Sequence, residues 1–381
     1  MRIALVILHA DPARGGAERY TVDLAAGLGA RGHDVALIST SFAAGNLPPG
    51  AVQLETGSGT RTGRYLQFLD HLDRHLASHQ YDIVHAMLPV RQCDVYHPHA
   101  GIAAEAVHSG HLKYEGPVMQ VISQMANRMN LRRRRFAAVE NSLLTGPRPP
   151  TVICLSDYVK RSLLKHYALD DAHLAKLFNA TDLARFDPTL RPEAGADIRR
   201  RFDIDADRVV GLMIAQDYHR KGLAEAIAAM ARVQDKRLAL LVVGKQNPAS
   251  YRKLAQKLGI ADRVIFAGKT ADPYAFYRAA DFFILPTRHD PCSLVVLEAL
   301  TMGVPVISTI FNGACEIMEN EKHGFVLSDP AEIAALAKSI GAMLDDGARR
   351  GMARECLALR PTLAYERHVD RLEEIYRAPR S

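Results

Sequence analysis

Short aliphatic and β-branched runs alternate along this chain with longer stretches in which apolar residues recur every three or four positions. The runs have the length of buried strands and the stretches the period of amphipathic helices, an alternation that marks parallel βαβ units. In the first half the pattern predicts strands over 3–8, 34–39, 82–86, 93–97 and 151–155, with helices around 16–31, 62–79, 118–140 and 157–167. A second series opens near Arg208, with strands over 208–215, 238–243, 263–266, 282–285 and 304–308 and helices over 222–233, 249–258, 273–280, 293–302 and 330–345. Between the two lies 179–188, rich in turn formers and followed by Pro192 and Gly195, which puts the hinge near 180–195. At 381 residues the chain is too long for one ordinary core. The expected fold class is α/β: a doubly wound, Rossmann-like domain over 1–180, a second over 196–362, and a terminal helix within 363–381 that follows Pro361.

Composition narrows the picture. With 48% hydrophobic and 24% charged residues and no low-complexity tract, the chain reads as a globular protein. Its longest apolar runs, Ile3 to Leu8 and Leu238 to Val243, fall far short of the roughly 20 residues a membrane span needs. Met1-Arg2 leads directly into the first strand, without the apolar region and cleavage site of a signal peptide, so a cytoplasmic location is expected. Cys93, Cys154, Cys292, Cys315 and Cys356 lack CxxC or metal-ligand spacing and are expected to be reduced thiols. A net charge of +6 and a pI near 9.0 suit nucleotide phosphates, acidic lipids and nucleic acid alike.

Four short segments carry candidate chemistry. Gly15-Gly16-Ala17-Glu18-Arg19 follows the first strand and opens a helix, where small residues let a ligand approach the helix N-terminus; a plain tight turn explains the pair as well. GxGxxG is absent and no acidic residue closes the second strand, which argues against a dinucleotide site. His97-Pro98-His99 ends a strand, at the edge of a parallel sheet where ligands sit, and either histidine can hydrogen-bond sugar hydroxyls or be an ordinary loop residue. The intervening proline and the lack of a third ligand speak against a metal. Arg220-Lys221-Gly222 opens the first helix of the second series, where two cations can neutralise a diphosphate or simply be solvated.

The most informative stretch is 288–299. It follows a buried strand, breaks at Pro291 and starts a helix whose free N–H groups can receive phosphate. Asp290 stands just before that helix and Glu298 inside it, where an acid among apolar neighbours needs donors that ribose hydroxyls would supply.

Asp290-x7-Glu298 resembles the E-x7-E motif of retaining GT-B glycosyltransferases of family 4, with Asp for the first Glu. The resemblance spans essentially the whole chain through Gly15-Gly16-Ala17-Glu18-Arg19, Asp82-Ile-Val-His85, Leu155-Ser156, Asn179-Ala-Thr-Asp182, Arg220-Lys221-Gly222 and Phe266-Ala-Gly268. Through Cys93-Asp-Val-Tyr96 and Asp217-Tyr-His-Arg-Lys-Gly222 it extends to bacterial lipopolysaccharide-core glucosyltransferases. It implies two facing domains, with the terminal helix crossing back to the first, and transfer of a hexose, UDP-glucose being the type of donor, to a glycan or glycolipid such as lipopolysaccharide core. Retention without metal or other cofactor is implied as well. Carried over by position, Arg220 and Lys221 would bind the donor diphosphate and Glu298 the ribose, while Ser293, Leu294 and Val295 would receive phosphate. Phe266 to Gly268 would line the base, and Gly15 and Gly16 would approach the donor. Asp290, His97 and Lys221 would take part in the reaction, with His97 and His99 on the acceptor side. Two departures stand out: Asp290 is one methylene shorter than the usual Glu, and Ala215-Gln216 replaces a common Gly-Arg.

Between Glu115 and Glu140 there is no acid, yet Arg128 and Arg132 to Arg135 fall there beside an apolar stripe from Val118 to Met129. The segment 118–139 reads either as an interfacial helix on anionic lipid, which would make the protein peripheral to the inner membrane face, or as core with a solvated arginine face. Three function classes remain in view: a glycosyltransferase, a nucleotide-sugar epimerase of the same plan, and a noncatalytic binder of lipid or RNA. The epimerase would need acid/base groups that the sequence does not reveal. No RNA motif with stacking aromatics is present, so no nucleic-acid partner is expected.

Overall fold

The aliphatic runs become the inner strands of two wholly parallel sheets. The computed structural model describes residues 1–43, 47–108 and 130–379. The first sheet comprises β1 (Arg2–Val6), β2 (Asp34–Ser39), β3 (Ala51–Gln53), β4 (Ile83–Ala86), β5 (Val95–Tyr96), β6 (Thr151–Cys154) and β7 (Leu174–Lys176), in the order β3-β2-β1-β4-β5-β6-β7. The second comprises β8 (Val209–Ile214), β9 (Leu238–Val243), β10 (Val264–Gly268), β11 (Phe282–Ile284), β12 (Val306–Thr309) and β13 (Gly324–Leu327), ordered β10-β9-β8-β11-β12-β13. Every residue of β9 is buried, as a strand covered on both faces requires. Strand order reverses between β1 and β4 in one sheet and between β8 and β11 in the other. In open sheets of this kind ligands bind at that reversal, beyond the carboxyl ends of the strands.

Three strands escape the sequence pattern: β3, β7 and β13. All are edge strands of three or four residues, so none needs an apolar run to fill two buried faces. The helix Asp346–Ala358 is equally silent because it buries only Met352 and Cys356. Ala103–His108 and Ala194–Arg201 are too short for their period to register. The helix expected over 118–140 is seen as Leu131–Leu144, capped by the Asn130 side chain, and 118–129 lie outside the described residues.

The chain divides into two units, Met1–Phe178 with Val369–Ser381, and Asn179–His368. The division therefore falls ahead of the expected hinge at 180–195, because that segment is bonded into the second unit. Asn179 Nδ2 donates to the Cys292 carbonyl at 2.8 Å, Thr181 N to the Leu363 carbonyl at 2.9 Å, and Arg191 pairs with Asp272 at 2.7 Å. The terminal helix Tyr365–Arg377 passes into the first unit at Val369. There Asp370 pairs with Arg31, Glu373 lies 3.0 Å from His33 Nε2, and Tyr376 Oη lies 2.6 Å from His85 Nδ1 on β4.

Candidate active site

In the second unit the segments that follow β8 and β11 meet at the reversal of strand order, and both carry charge. Gly222 makes the meeting possible. It begins the helix Leu223–Arg232 in the left-handed region, with φ 78°, and a Cβ there would lie 2.1 Å from the Pro286 carbonyl oxygen. Arg288 N donates to the Arg220 carbonyl at 3.0 Å, and Arg220 Nη1 donates to the His289 carbonyl at 2.9 Å. The loops are thus laced together just where Lys221 and Asp290 come into contact.

Lys221 and Asp290, each 8% exposed, form a hydrogen-bonded ion pair. Burial lowers the Lys221 ammonium from its ordinary value, against the pull of Asp290. Burial alone would raise the Asp290 carboxyl, but the charges of Lys221 and Arg220 outweigh it and hold the group below the usual carboxylate range. Backbone bonds fix Asp290 as well: its N–H donates to the Phe311 carbonyl at 2.9 Å, and its own carbonyl accepts from Gly313 N at 2.9 Å.

Pro291 and Cys292 lead into the helix Leu294–Thr301, which Ser293 precedes without a side-chain cap bond. No side chain of the cap residue therefore competes for the first-turn N–H groups, which carry the positive end of the helix dipole. Leu294, Val295 and Glu298 are its half-buried residues, and their spacing puts them on one face. Glu298 Oε2 accepts from Tyr277 Oη at 2.7 Å. Phe266 and Gly268 close β10, where Phe266 carries the Arg252 guanidinium 4.8 Å above its ring. Sequence reasoning missed Tyr277 and Asn312. Asn312 Oδ1 accepts from Ser293 N at 3.3 Å and Ala314 N at 3.1 Å, pinning the start of the helix. An Asn-Gly pair, two residues beyond the end of β12, was the available signal.

In the first unit, Gly15 precedes the helix Gly16–Ala30 in extended backbone, and a Cβ there would meet only the flexible end of Glu18. The fold itself does not require glycine at that position. Four residues into the helix, Tyr20 packs its ring 5.2 Å from His97 and 4.6 Å from His99. His97 is fully buried, and His99 is 8% exposed. Both follow β5, and buried Glu140 ties down the residues on either side of them: it accepts from Tyr96 Oη at 2.6 Å and from the N–H groups of Ala103 and Ala104 at 2.9 Å. The sequence thus separates its candidates into two groups, His97, His99, Gly15 and Gly16 in one unit and the remainder in the other. Among the described residues no helix is long and apolar enough to cross a membrane. The five cysteines are free, and burial pushes the thiols of Cys154, Cys315 and Cys356 up to about 12.

Two family models match this chain almost end to end. Residues 14–185 match Glycosyltransferase Family 4, and residues 196–356 match Glycosyl transferases group 1. The chain belongs to the family 4, group 1 glycosyltransferases. Its activity is therefore glycosyl transfer, and the epimerase and noncatalytic alternatives fall away. This glycosyltransferase is 26% identical over 321 residues to the lipopolysaccharide glucosyltransferase WaaG of Escherichia coli K12, covering 83% of this chain and 82% of the relative. The crystal structure of a WaaG involved in lipopolysaccharide biosynthesis superposes with a TM-score of 0.84 at 24% identity, covering 99% of this chain and 100% of that one. Anabaena HepE in complex with UDP-glucose matches at TM-score 0.73 and 17% identity, covering 98% of both chains. The fold is GT-B, built of two Rossmann-like parallel-sheet units.

Proposed function

We propose that this glycosyltransferase moves a hexose from a nucleotide sugar of the UDP-glucose type to a glycan or glycolipid such as lipopolysaccharide core, with retention and without metal or other cofactor. The observation that carries the proposal is the convergence of Arg220, Lys221 and Asp290 on the uncapped start of the helix Leu294–Thr301, at the switch point of a parallel sheet. Three kinds of positive charge meet there: a guanidinium, a dehydrated ammonium and a helix N-terminus. That combination suits a diphosphate, both as bound substrate and as departing group. HepE, a protein of this fold, was crystallised with UDP-glucose.

In this reading Lys221 has three N–H donors, one of which serves Asp290, and turns another to the diphosphate. Asp290, kept ionised, accepts from a hydroxyl of the transferred sugar. Glu298 takes the ribose hydroxyls from the open face of its helix, with Tyr277 holding the carboxylate, while Phe266 and Gly268 line the base. Gly15 and Gly16 let the donor approach closely, and His97 and His99 serve the acceptor side. The acceptor hydroxyl attacks the anomeric carbon from the face that the diphosphate leaves. The bond from that carbon to the phosphate oxygen breaks, and the hydroxyl proton passes to the departing diphosphate. The protein's part is orientation and stabilisation of leaving-group charge.

Incubation with radiolabelled UDP-glucose and a lipopolysaccharide-core acceptor tests the reading. Label should enter the acceptor with release of UDP, in the presence of a chelator. UDP-glucose left intact, or transfer abolished by the chelator, would contradict it.

A further inference from the structure

The first unit buries polar rings where its sheet otherwise takes aliphatic side chains. Leu37, Leu5, His85 and Val95 lie side by side across β2, β1, β4 and β5, hence on one face of the sheet, and His85 is the one polar side chain of the four. His85 and His97 are wholly buried, and Tyr20 and Tyr376 nearly so. An imidazole costs free energy to bury unless its nitrogens are bonded, so packing alone favours an aliphatic residue at position 85.

The rings form a continuous ladder. It starts in the terminal helix, where Val369, Leu372 and Tyr376 recur at helical spacing and are all buried. The pairing of Asp370 with Arg31, and of Glu373 with His33 at 3.0 Å, fastens that stretch of helix to the unit. The Tyr376 hydroxyl lies 2.6 Å from His85 Nδ1, and the two rings meet edge to face at 5.7 Å and 79°. This hydrogen bond fixes the rotation of the His85 ring, on which His97 stacks at 5.4 Å and 13°. His97 in turn stands 5.2 Å from His99 and 5.2 Å from Tyr20, whose ring closes on His99 at 4.6 Å. Backbone bonds hold the last two steps: His97 N donates to the Ala86 carbonyl at 2.8 Å, and His99 N to the His97 carbonyl at 2.7 Å. Of the three histidines only His99, 8% exposed, reaches the surface.

We infer that Tyr376 is a positioning residue for His99, acting through His85 and His97. The inference rests on the reading above that His97 and His99 serve the acceptor side. His99 meets the acceptor, and the buried rings behind it hold its imidazole in one orientation, which sets where an acceptor hydroxyl is held. His97, wholly buried, serves that side by supporting His99 rather than by touching the sugar. The polar rings are thus kept in an otherwise aliphatic layer because they pass the placement of Tyr376 on to the surface.

The test is ring NMR of the full chain carrying isotope-labelled histidine, beside transfer kinetics with UDP-glucose and a lipopolysaccharide-core acceptor. Tyr376→Phe keeps the ring and removes only the hydroxyl. The His97 and His99 ring signals should shift, and kcat should fall about tenfold, with UDP affinity equal to that of wild type. His85→Leu should lower kcat as much, and adding Tyr376→Phe to it should lower kcat no further, since the hydroxyl then has no ladder to act on. Asp370→Asn, which loosens the same helix away from His85, should move neither signal. Unshifted His97 and His99 signals in Tyr376→Phe, fully additive losses in the double variant, or an equal shift in Asp370→Asn would each overturn the inference. So would shifted signals with kcat unchanged, because transfer would then not depend on the placement of His99. Wild type unable to use UDP-glucose would count against the proposed function alone, and the ring signals would still decide the ladder.

Discussion

Lys221 and Asp290 stand 69 positions apart, yet neither makes sense without the other. A buried pair of opposite charges is weak support for stability while intact, but removing one partner leaves the other charge stranded. Lys221→Ala should therefore cost about 3–5 kcal/mol in urea unfolding, and the Lys221→Ala/Asp290→Asn double variant should recover part of that loss. Strictly additive losses would mean that the two side chains do not interact. The pair also predicts a pH signature. Because the Asp290 carboxyl is held below its ordinary value, its contribution is fully present above about pH 3.9 and is lost as the pH falls through the lower folded value. Melting temperatures from pH 7 to pH 3 should fall less steeply for Asp290→Asn than for wild type, and parallel curves would contradict the assignment. At this scale the sequence named both residues, each through its own motif. It did not name their contact, because nothing local to 220–222 announces a partner in the 288–291 loop. Tyr277, Asn312 and Glu140 were missed for a related reason: their work is to hold other residues in place, which leaves no spacing rule behind.

At the scale of elements, helix starts carry the chemistry, and the sequence showed most of them. Pro291 before 293–302 and Gly222 at the head of 222–233 mark two starts that the structure sets within a residue, at Leu294 and Leu223. What could not be read was which edge strands would flank them, since β3, β7 and β13 bury too little to leave a pattern. Gly222 is the element-level test. Any side chain there meets the left-handed backbone and the Pro286 carbonyl together. Backbone strain alone amounts to roughly 1–3 kcal/mol, and the clash must displace the loop that brings Lys221 to Asp290. Gly222→Ala should lower the melting temperature and weaken UDP binding together. A variant that loses neither would show that the loop tolerates the added carbon and that the packing there is looser than described.

For the whole molecule, the alternation of strand and helix made two parallel-sheet units legible from the start, and the family match accounts for both. The boundary was less legible, because turn formers in 179–193 look like a linker while their side chains and backbone are bonded into the second unit. The chemistry follows from topology repeated twice: each sheet reverses its strand order once, and the charged candidates of the second unit, Arg220, Lys221 and Asp290, follow the two strands that flank its reversal, while Phe266 and Gly268 stand on the edge strand β10. The central claim is that the second unit holds a nucleoside diphosphate through Arg220, Lys221, the start of the helix Leu294–Thr301 and Glu298. Calorimetric titration of UDP, in chelator, into wild type and the Arg220→Gln and Glu298→Gln variants tests it most directly. Wild type should bind one UDP per chain, and each variant should bind about tenfold more weakly, the equivalent of about 1.4 kcal/mol. Equal affinity in all three proteins, or no binding by wild type, would contradict the account.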